Sequence, residues 1–143
     1  MPWRLDPRGT VFADTSILFA LAVRRDQRFA AANELHQSFI AADTQLLTTN
    51  FVVEKLHALM LTRVGSHEAN MLLTAIDSSR TIVVRADESD ESRARVIIRQ
   101  FGGHGHSLTD AISFAVMERL EIDRAFTFDH HFALYGVTVP VQT

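Results

Sequence analysis

The sequence has no cysteine. Disulfide frameworks, thiolate nucleophiles and zinc–thiolate sites are therefore excluded together, and the composition fits a reducing compartment. No apolar run approaches the ~20 residues that a membrane helix needs; residues 17–23 form a run far short of it. The stretch Met1–Gly9 lacks the apolar core of a signal peptide. A soluble cytoplasmic protein with no membrane partner is the expectation. Excess positive charge is missing too. The formal net charge is −3, which argues against a polybasic nucleic-acid binder. It leaves open a site whose gathered acids mask a basic rim. Lysine is nearly absent: Lys55 is the only one, and every other basic side chain is arginine, which suits bidentate phosphate contacts and equally reflects codon bias. No internal repeat, linker or low-complexity segment interrupts the chain.

What is present reads as one domain over residues 1–143. The hydrophobic fraction of 47% is that of a globular protein, and a chain of this length buries about 68–70% of its unfolded surface. Hydrophobic patterning predicts strands at 10–13, 44–48, 81–84, 124–128 and 137–139. Helices are predicted from about 16, over 28–42, from a cap at Asn50 to about 64, from a cap at Ser66, and over 87–101, 107–121 and 130–135. Residues 1–9 read as an exposed lead-in, and Gly65 as a helix stop. Strands alternating with helices predict an α/β fold: three α/β/α layers around a mostly parallel sheet of four to five strands.

Four acids stand at element ends or in apolar surroundings. Asp14 closes the strand Thr10-Val11-Phe12-Ala13 and is followed by Thr15 and Ser16. Glu54 lies in the first turn of the predicted helix from Asn50. Asp110 lies in the first turn of Ser107-Leu108-Thr109-Asp110, and Asp129 ends Ala125-Phe126-Thr127-Phe128. Each has an ordinary explanation alone: a helix cap, a dipole contact, a capping box, a turn. Jointly they point elsewhere. Parallel strands end at one sheet edge, and the helices that follow them start there, so the four carboxylates converge. Two carboxylates ~5 Å apart at an effective dielectric of ~20 repel by roughly 3 kcal/mol. Such a cluster calls for a counter-charge, and an oxygen-only donor set suits Mg²⁺ or Mn²⁺. One or two such ions activate water against a phosphodiester. Thr15, Ser16, Thr109 and Thr127 are placed to orient carboxylates, water or phosphate.

In this order and spacing the four segments resemble the PIN domain, the nuclease fold of VapC-type toxins. Val11-Phe12-Ala13-Asp14-Thr15-Ser16 is similar to the family's opening strand. Glu54 takes the place of its helical glutamate, Ser107-Leu108-Thr109-Asp110-Ala111 that of its Ser/Thr-x-x-Asp-Ala helix start, and Ala125–Phe132 with Gly136 that of its closing segment. The resemblance implies an endoribonuclease using Mg²⁺ or Mn²⁺, the toxin of a type II toxin–antitoxin pair. It implies Asp14, Glu54, Asp110 and Asp129 as catalytic residues and metal ligands, with Thr15 or Ser16 and Thr127 as supporting hydroxyls; the residues themselves add Thr109 to that support. It also implies a homodimer and a small antitoxin whose tail occupies the groove. Two features depart from the family pattern: a longer lead-in, and the loop Gly102-Gly103-His104-Gly105-His106.

Other readings remain. His104, His106, His130 and His131 read as solvent-exposed loop histidines or phosphate contacts; a histidine–carboxylate metal site is the alternative. Arg24, Arg25 and Arg28 read as a solvated helix end or a grip on an RNA backbone. Another α/β phosphoryl-transfer protein is disfavoured. A signalling receiver needs a lysine after a late strand, whereas Lys55 lies in a helix. An aspartate-nucleophile phosphatase needs an acid where Ser16 stands. A catalytically inactive RNA-binding or scaffold PIN domain is the remaining competitor.

Overall fold

The computed structural model describes residues 5–139. Four short strands form one sheet: β1 (Thr10–Ala13), β2 (Gln45–Thr49), β3 (Ile82–Val84) and β4 (Ala125–Phe126). Their order is β3-β2-β1-β4, and every pairing is parallel. Helices α1 (Thr15–Ala22) and α2 (Phe29–Ala41) connect β1 to β2. Helices α3 (Asn50–Arg63) and α4 (Ser66–Ser78) connect β2 to β3. Helices α5 (Glu88–Gln100) and α6 (Leu108–Leu120) connect β3 to β4, and α7 (His130–Tyr135) follows.

The pleat sorts the core. Val11 and Ala13 of β1 face α1 and α2, in a cluster with Ile17, Ala20, Ala32, Phe39 and Phe126. Phe12 faces the opposite layer, with Ile97, Ile112, Phe114 and Phe132. Successive strand residues point to opposite faces, so a four-residue strand covered on both sides reads as a continuous apolar run. Helix α6 is the most enclosed helix: every residue from Asp110 to Met117 is buried. Such a helix is apolar nearly all round, as interior helices are.

Several boundaries differ from expectation. Pro7–Gly9 of the lead-in form a 3₁₀ turn capped by Asp6, while residues 1–4 lie outside the described residues. Thr49, not Asn50, caps α3, its hydroxyl accepting from Val52 N at 3.2 Å. The Asn50 side chain instead accepts from Ala86 N at 2.9 Å and ties the helix to the segment after β3. Gly65 caps the start of α4 at φ 149°, a left-handed conformation that suits glycine. The expected strand 124–128 is paired only at Ala125–Phe126. The expected strand 137–139 is reduced to one bridge, Thr138 with Arg124.

The strand order reverses between β1 and β4. Crossovers from β1 build the sheet toward β3, and the chain then returns to the other side of β1. In open α/β sheets the crevice at such a reversal, outside the carboxyl ends of the strands, is where ligands bind.

Candidate active site

Asp14 leaves β1 at that crevice and Thr127 leaves β4 beside it, because Ala13 pairs with Phe126 in parallel register. Asp14 also caps α1: its Oδ2 accepts from Ser16 N at 3.5 Å. The same oxygen accepts from Thr127 Oγ1 at 3.0 Å and Ser16 Oγ at 3.3 Å. Ser16 Oγ lies 3.1 Å from Thr127 Oγ1 and accepts from Phe128 N at 2.9 Å. Thr127 Oγ1 accepts from Asp129 N at 2.9 Å. This mesh ends β4 after two residues, since the Phe128 amide turns toward a side chain instead of a strand.

Asp110 enters from α6, at the third position of a capping box with Ser107. Asp110 N donates to Ser107 Oγ at 3.1 Å, and Ser107 N donates to Asp110 Oδ2 at 3.4 Å. Asp129 caps α7, its Oδ1 accepting from His131 N at 2.9 Å. All three acids therefore begin helices while sharing one site. The ordinary cap and the convergent cluster coexist, and the helix N-termini supply part of the positive potential that lets the acids gather.

Asp14 is 4% exposed, as is Asp110. Burial foremost raises the Asp14 carboxyl above the usual aspartate value. The backbone hydrogen bond at Thr15 and the Thr127 hydroxyl pull it down, while the charges of Asp110 and Asp129 push it further up. Among the described residues each acid commits one oxygen to neighbours: Oδ2 of Asp14, Oδ2 of Asp110 and Oδ1 of Asp129. The second oxygen of each accepts no hydrogen bond there. Asp14 and Asp110, buried, and Asp129, half-buried, repel one another and offer free oxygens, the donor chemistry a hard divalent cation requires, although the three are not among the groups whose ligand atoms all lie within 4.8 Å of one another.

The remaining expected residues are placed differently. Glu54 lies one turn beyond the start of α3, outside its first turn. It is exposed. With Thr49 as the cap, Glu54 lies past the first turn of α3. Thr15 is buried, its Oγ1 without a hydrogen-bond partner among the described residues. Thr109 contributes its carbonyl, which accepts from Ser113 Oγ at 3.0 Å; its hydroxyl makes no bond to the acids.

A cleft of about 420 Å³ opens beside Asp14, Ser16 and Asp129. Its basic lining is Arg28, Lys55 and Arg63. The Arg28 guanidinium lies over the Phe128 ring at 4.9 Å and that of Arg63 over Phe19 at 5.7 Å. Stacking on aromatic faces holds both cations at the rim. Of the three arginines after α1, only Arg28 lines this cleft.

Two histidines overturn their expected exposure. His131, in the first turn of α7, is partly buried: its Nδ1 lies 3.1 Å from Asp129 Oδ1 and 3.5 Å from Asp110 Oδ2. His106 is 9% exposed, its ring packed edge-on against Phe114 at 5.2 Å. Burial, then the neighbouring His131, lowers its pKa below the usual histidine value. His104 and His130 are exposed, as expected. The sequence signal for the inner pair was present but divided. His106 stands just before a capping box and His131 just after a strand-end acid, and only the packing of α7 against α6 unites them.

The PIN domain family model matches residues 11–137. The 23S rRNA-specific endonuclease VapC20 of Mycobacterium tuberculosis is 32% identical over 127 residues, spanning 88% of this chain and 94% of that protein. The crystal structure of Mycobacterium tuberculosis VapC20, a sarcin–ricin loop cleaving toxin, has a TM-score of 0.81 at 27% identity. That match covers 90% of this chain and 96% of that one. VapBC2 from Rickettsia felis, bound to a DNA fragment from its promoter, has a TM-score of 0.66 at 12% identity, over 91% and 96% of the two chains. The second structure is a likeness of fold alone.

Proposed function

The chain belongs to the PIN domain family, and from that premise we propose that it is an endoribonuclease, the toxin of a toxin–antitoxin pair. It acts as one domain in the cytoplasm. The observation that carries this reading is the meeting of Asp14, Asp110 and Asp129 at the β1–β4 crevice, in a chain similar along most of its length to a protein named a 23S rRNA-specific endonuclease. Structured ribosomal RNA is accordingly the first substrate class to test.

Asp14, Asp110 and Asp129 would hold Mg²⁺ or Mn²⁺. A bound divalent ion there supplies Lewis acidity and charge neutralisation for phosphodiester hydrolysis. The chain's own groups do the rest. Thr127 and Ser16 fix one oxygen of Asp14 and so aim the other into the crevice. Thr15 supports the α1 start, and Thr109 supports that of α6. Glu54, exposed at the same edge, orients water or a nucleotide; it does not share the buried donor set. Arg28, Lys55 and Arg63 contact the phosphate backbone, which positions RNA without reading sequence. A homodimer and an antitoxin that blocks the groove complete the proposal.

The test is cleavage of purified ribosomes and of deproteinised 23S rRNA, with Mg²⁺ or Mn²⁺ and the new ends mapped. Discrete cuts are expected, with Asp110→Asn slower by roughly 100-fold or more at unchanged circular dichroism. Wild-type cleavage by Asp110→Asn sinks the assignment.

A further inference from the structure

The oxygen-only set leaves His106 unexplained. Both its ring nitrogens are buried and neither has a hydrogen-bond partner among the described residues. Buried imidazoles ordinarily find a partner, because an unsatisfied polar atom loses its water without replacement. His131 is in the same condition at Nδ1, which approaches Asp110 and Asp129 without the geometry of a hydrogen bond to either. The two rings meet nearly perpendicular, with centroids 5.0 Å apart. One donor atom each from His106, Asp110 and His131 lie within 4.8 Å of one another.

We propose that His106, Asp110 and His131 form a binding site for a borderline divalent transition cation, Zn²⁺ by its chemistry, separate in donor type from the oxygen-only set. A tetrahedral cation at about 2.0–2.2 Å from its ligands places them roughly 3.3–3.6 Å apart. The Asp110–His131 pair at 3.5 Å already meets that spacing. Imidazole nitrogen selects Zn²⁺ over Mg²⁺, which prefers oxygen and its own waters. Three protein ligands leave a coordination position open. Asp129, His130 and His131 form an overlapping group, but the His130 side chain is 77% exposed, so it marks the outer lip of the site. The proposal rests on the nuclease reading only in its consequence: Asp110 belongs to both sets, so Zn²⁺ competes for it and suppresses Mn²⁺-dependent cleavage.

The binding test contains no RNA. The full chain is stripped with chelator and titrated with Co²⁺, a spectroscopic probe for nitrogen–oxygen zinc sites, then with Zn²⁺ as competitor. Visible ligand-field bands are expected to saturate and to vanish on adding Zn²⁺. His131→Gln and His106→Phe, the latter keeping an aromatic ring against Phe114, are expected to lose about 10–100-fold or more in Co²⁺ affinity. Asp14→Asn, outside this donor set, is expected to keep the bands. Far-ultraviolet circular dichroism establishes that each variant folds, and either histidine variant suffices. Absence of bands, or equal affinity in wild type and the folded histidine variants, overturns the proposal. So does loss of bands in Asp14→Asn alone, which places the cation in the oxygen-only set. Because cleavage is assayed separately, unaltered Co²⁺ binding in the histidine variants beside an inactive Asp110→Asn removes this inference and leaves the nuclease reading. Histidine-dependent Co²⁺ binding without any cleavage does the reverse.

Discussion

Asp14 is held under opposing demands. Its place at the end of a buried strand removes water from a carboxylate, and two other acids face it, while the Thr127 and Ser16 hydroxyls stabilise its charge. Its pKa in the fold is raised above 3.8, so this group favours folding below that value. The advantage is lost as pH rises from there through the raised folded value, above which the cost of the ionised form is fully present. Asp14→Asn keeps a hydrogen-bonding side chain without the charge. Its cation-free melting temperature is expected to rise, by about 3–5 °C for each kcal/mol relieved at this chain length. In the wild type, Mn²⁺ is expected to raise the melting temperature, and the gain should shrink as pH falls toward the raised Asp14 value. Calorimetric scans with and without Mn²⁺ at several pH values check both; an unstabilised Asn variant and a pH-independent Mn²⁺ shift would contradict them. At this scale the acids were legible in the sequence, because strand-end and capping-box patterns are local. Thr49, not Asn50, is the cap, so Glu54 stands one position deeper in its helix than expected.

The elements that carry these residues are fixed away from the site. Helix α6 presents Asp110, and α5 clamps it: both oxygens of Asp90, 2% exposed, accept from Arg119 at 2.8 Å. Arg119→Met leaves a buried carboxylate without its partner and is expected to cost about 2–3 kcal/mol. Urea unfolding should show a lower midpoint at unchanged slope. Helix α7, which presents Asp129 and His131, is anchored by Phe132 in the core and by Tyr135. The Tyr135 hydroxyl donates to Glu118, which also pairs with Arg93 at 2.9 Å. Burial first, then the Glu118 carboxylate, pushes the Tyr135 phenol up to about 12, so it stays a donor across the working pH range. Sequence patterning placed α7 at its observed bounds, 130–135, since a strand-end acid and Gly136 delimit it. It overextended β4, because the hydroxyl of Ser16, far away in the chain, captures the Phe128 amide.

Across the whole molecule, an acidic crevice sits behind a rim of Arg28, Lys55 and Arg63, within a chain of net charge −3. Substituting Arg28 and Arg63 by Gln should weaken RNA binding uniformly across sequences. The salt dependence of the binding constant should fall by about 0.7 per lost contact on single-stranded RNA. Fluorescence anisotropy over a salt series, with an inactive Asp110→Asn background, measures it; an unchanged slope would remove the rim from the interface. The sequence by itself determined the alternation of strands and helices, the three acids that begin helices, and the family, because each is written in local pattern and spacing. Only the tertiary structure decided which side chains share a site. Parallel pairing of β1 with β4 set Asp14 beside the segment that carries Asp129, and the packing of α6 brought Asp110 to both. Packing of α7 against the start of α6 set His131 and His106 beside Asp110. Strand pairing and side-chain burial between distant segments are long-range outcomes, settled by packing that no single stretch of sequence contains.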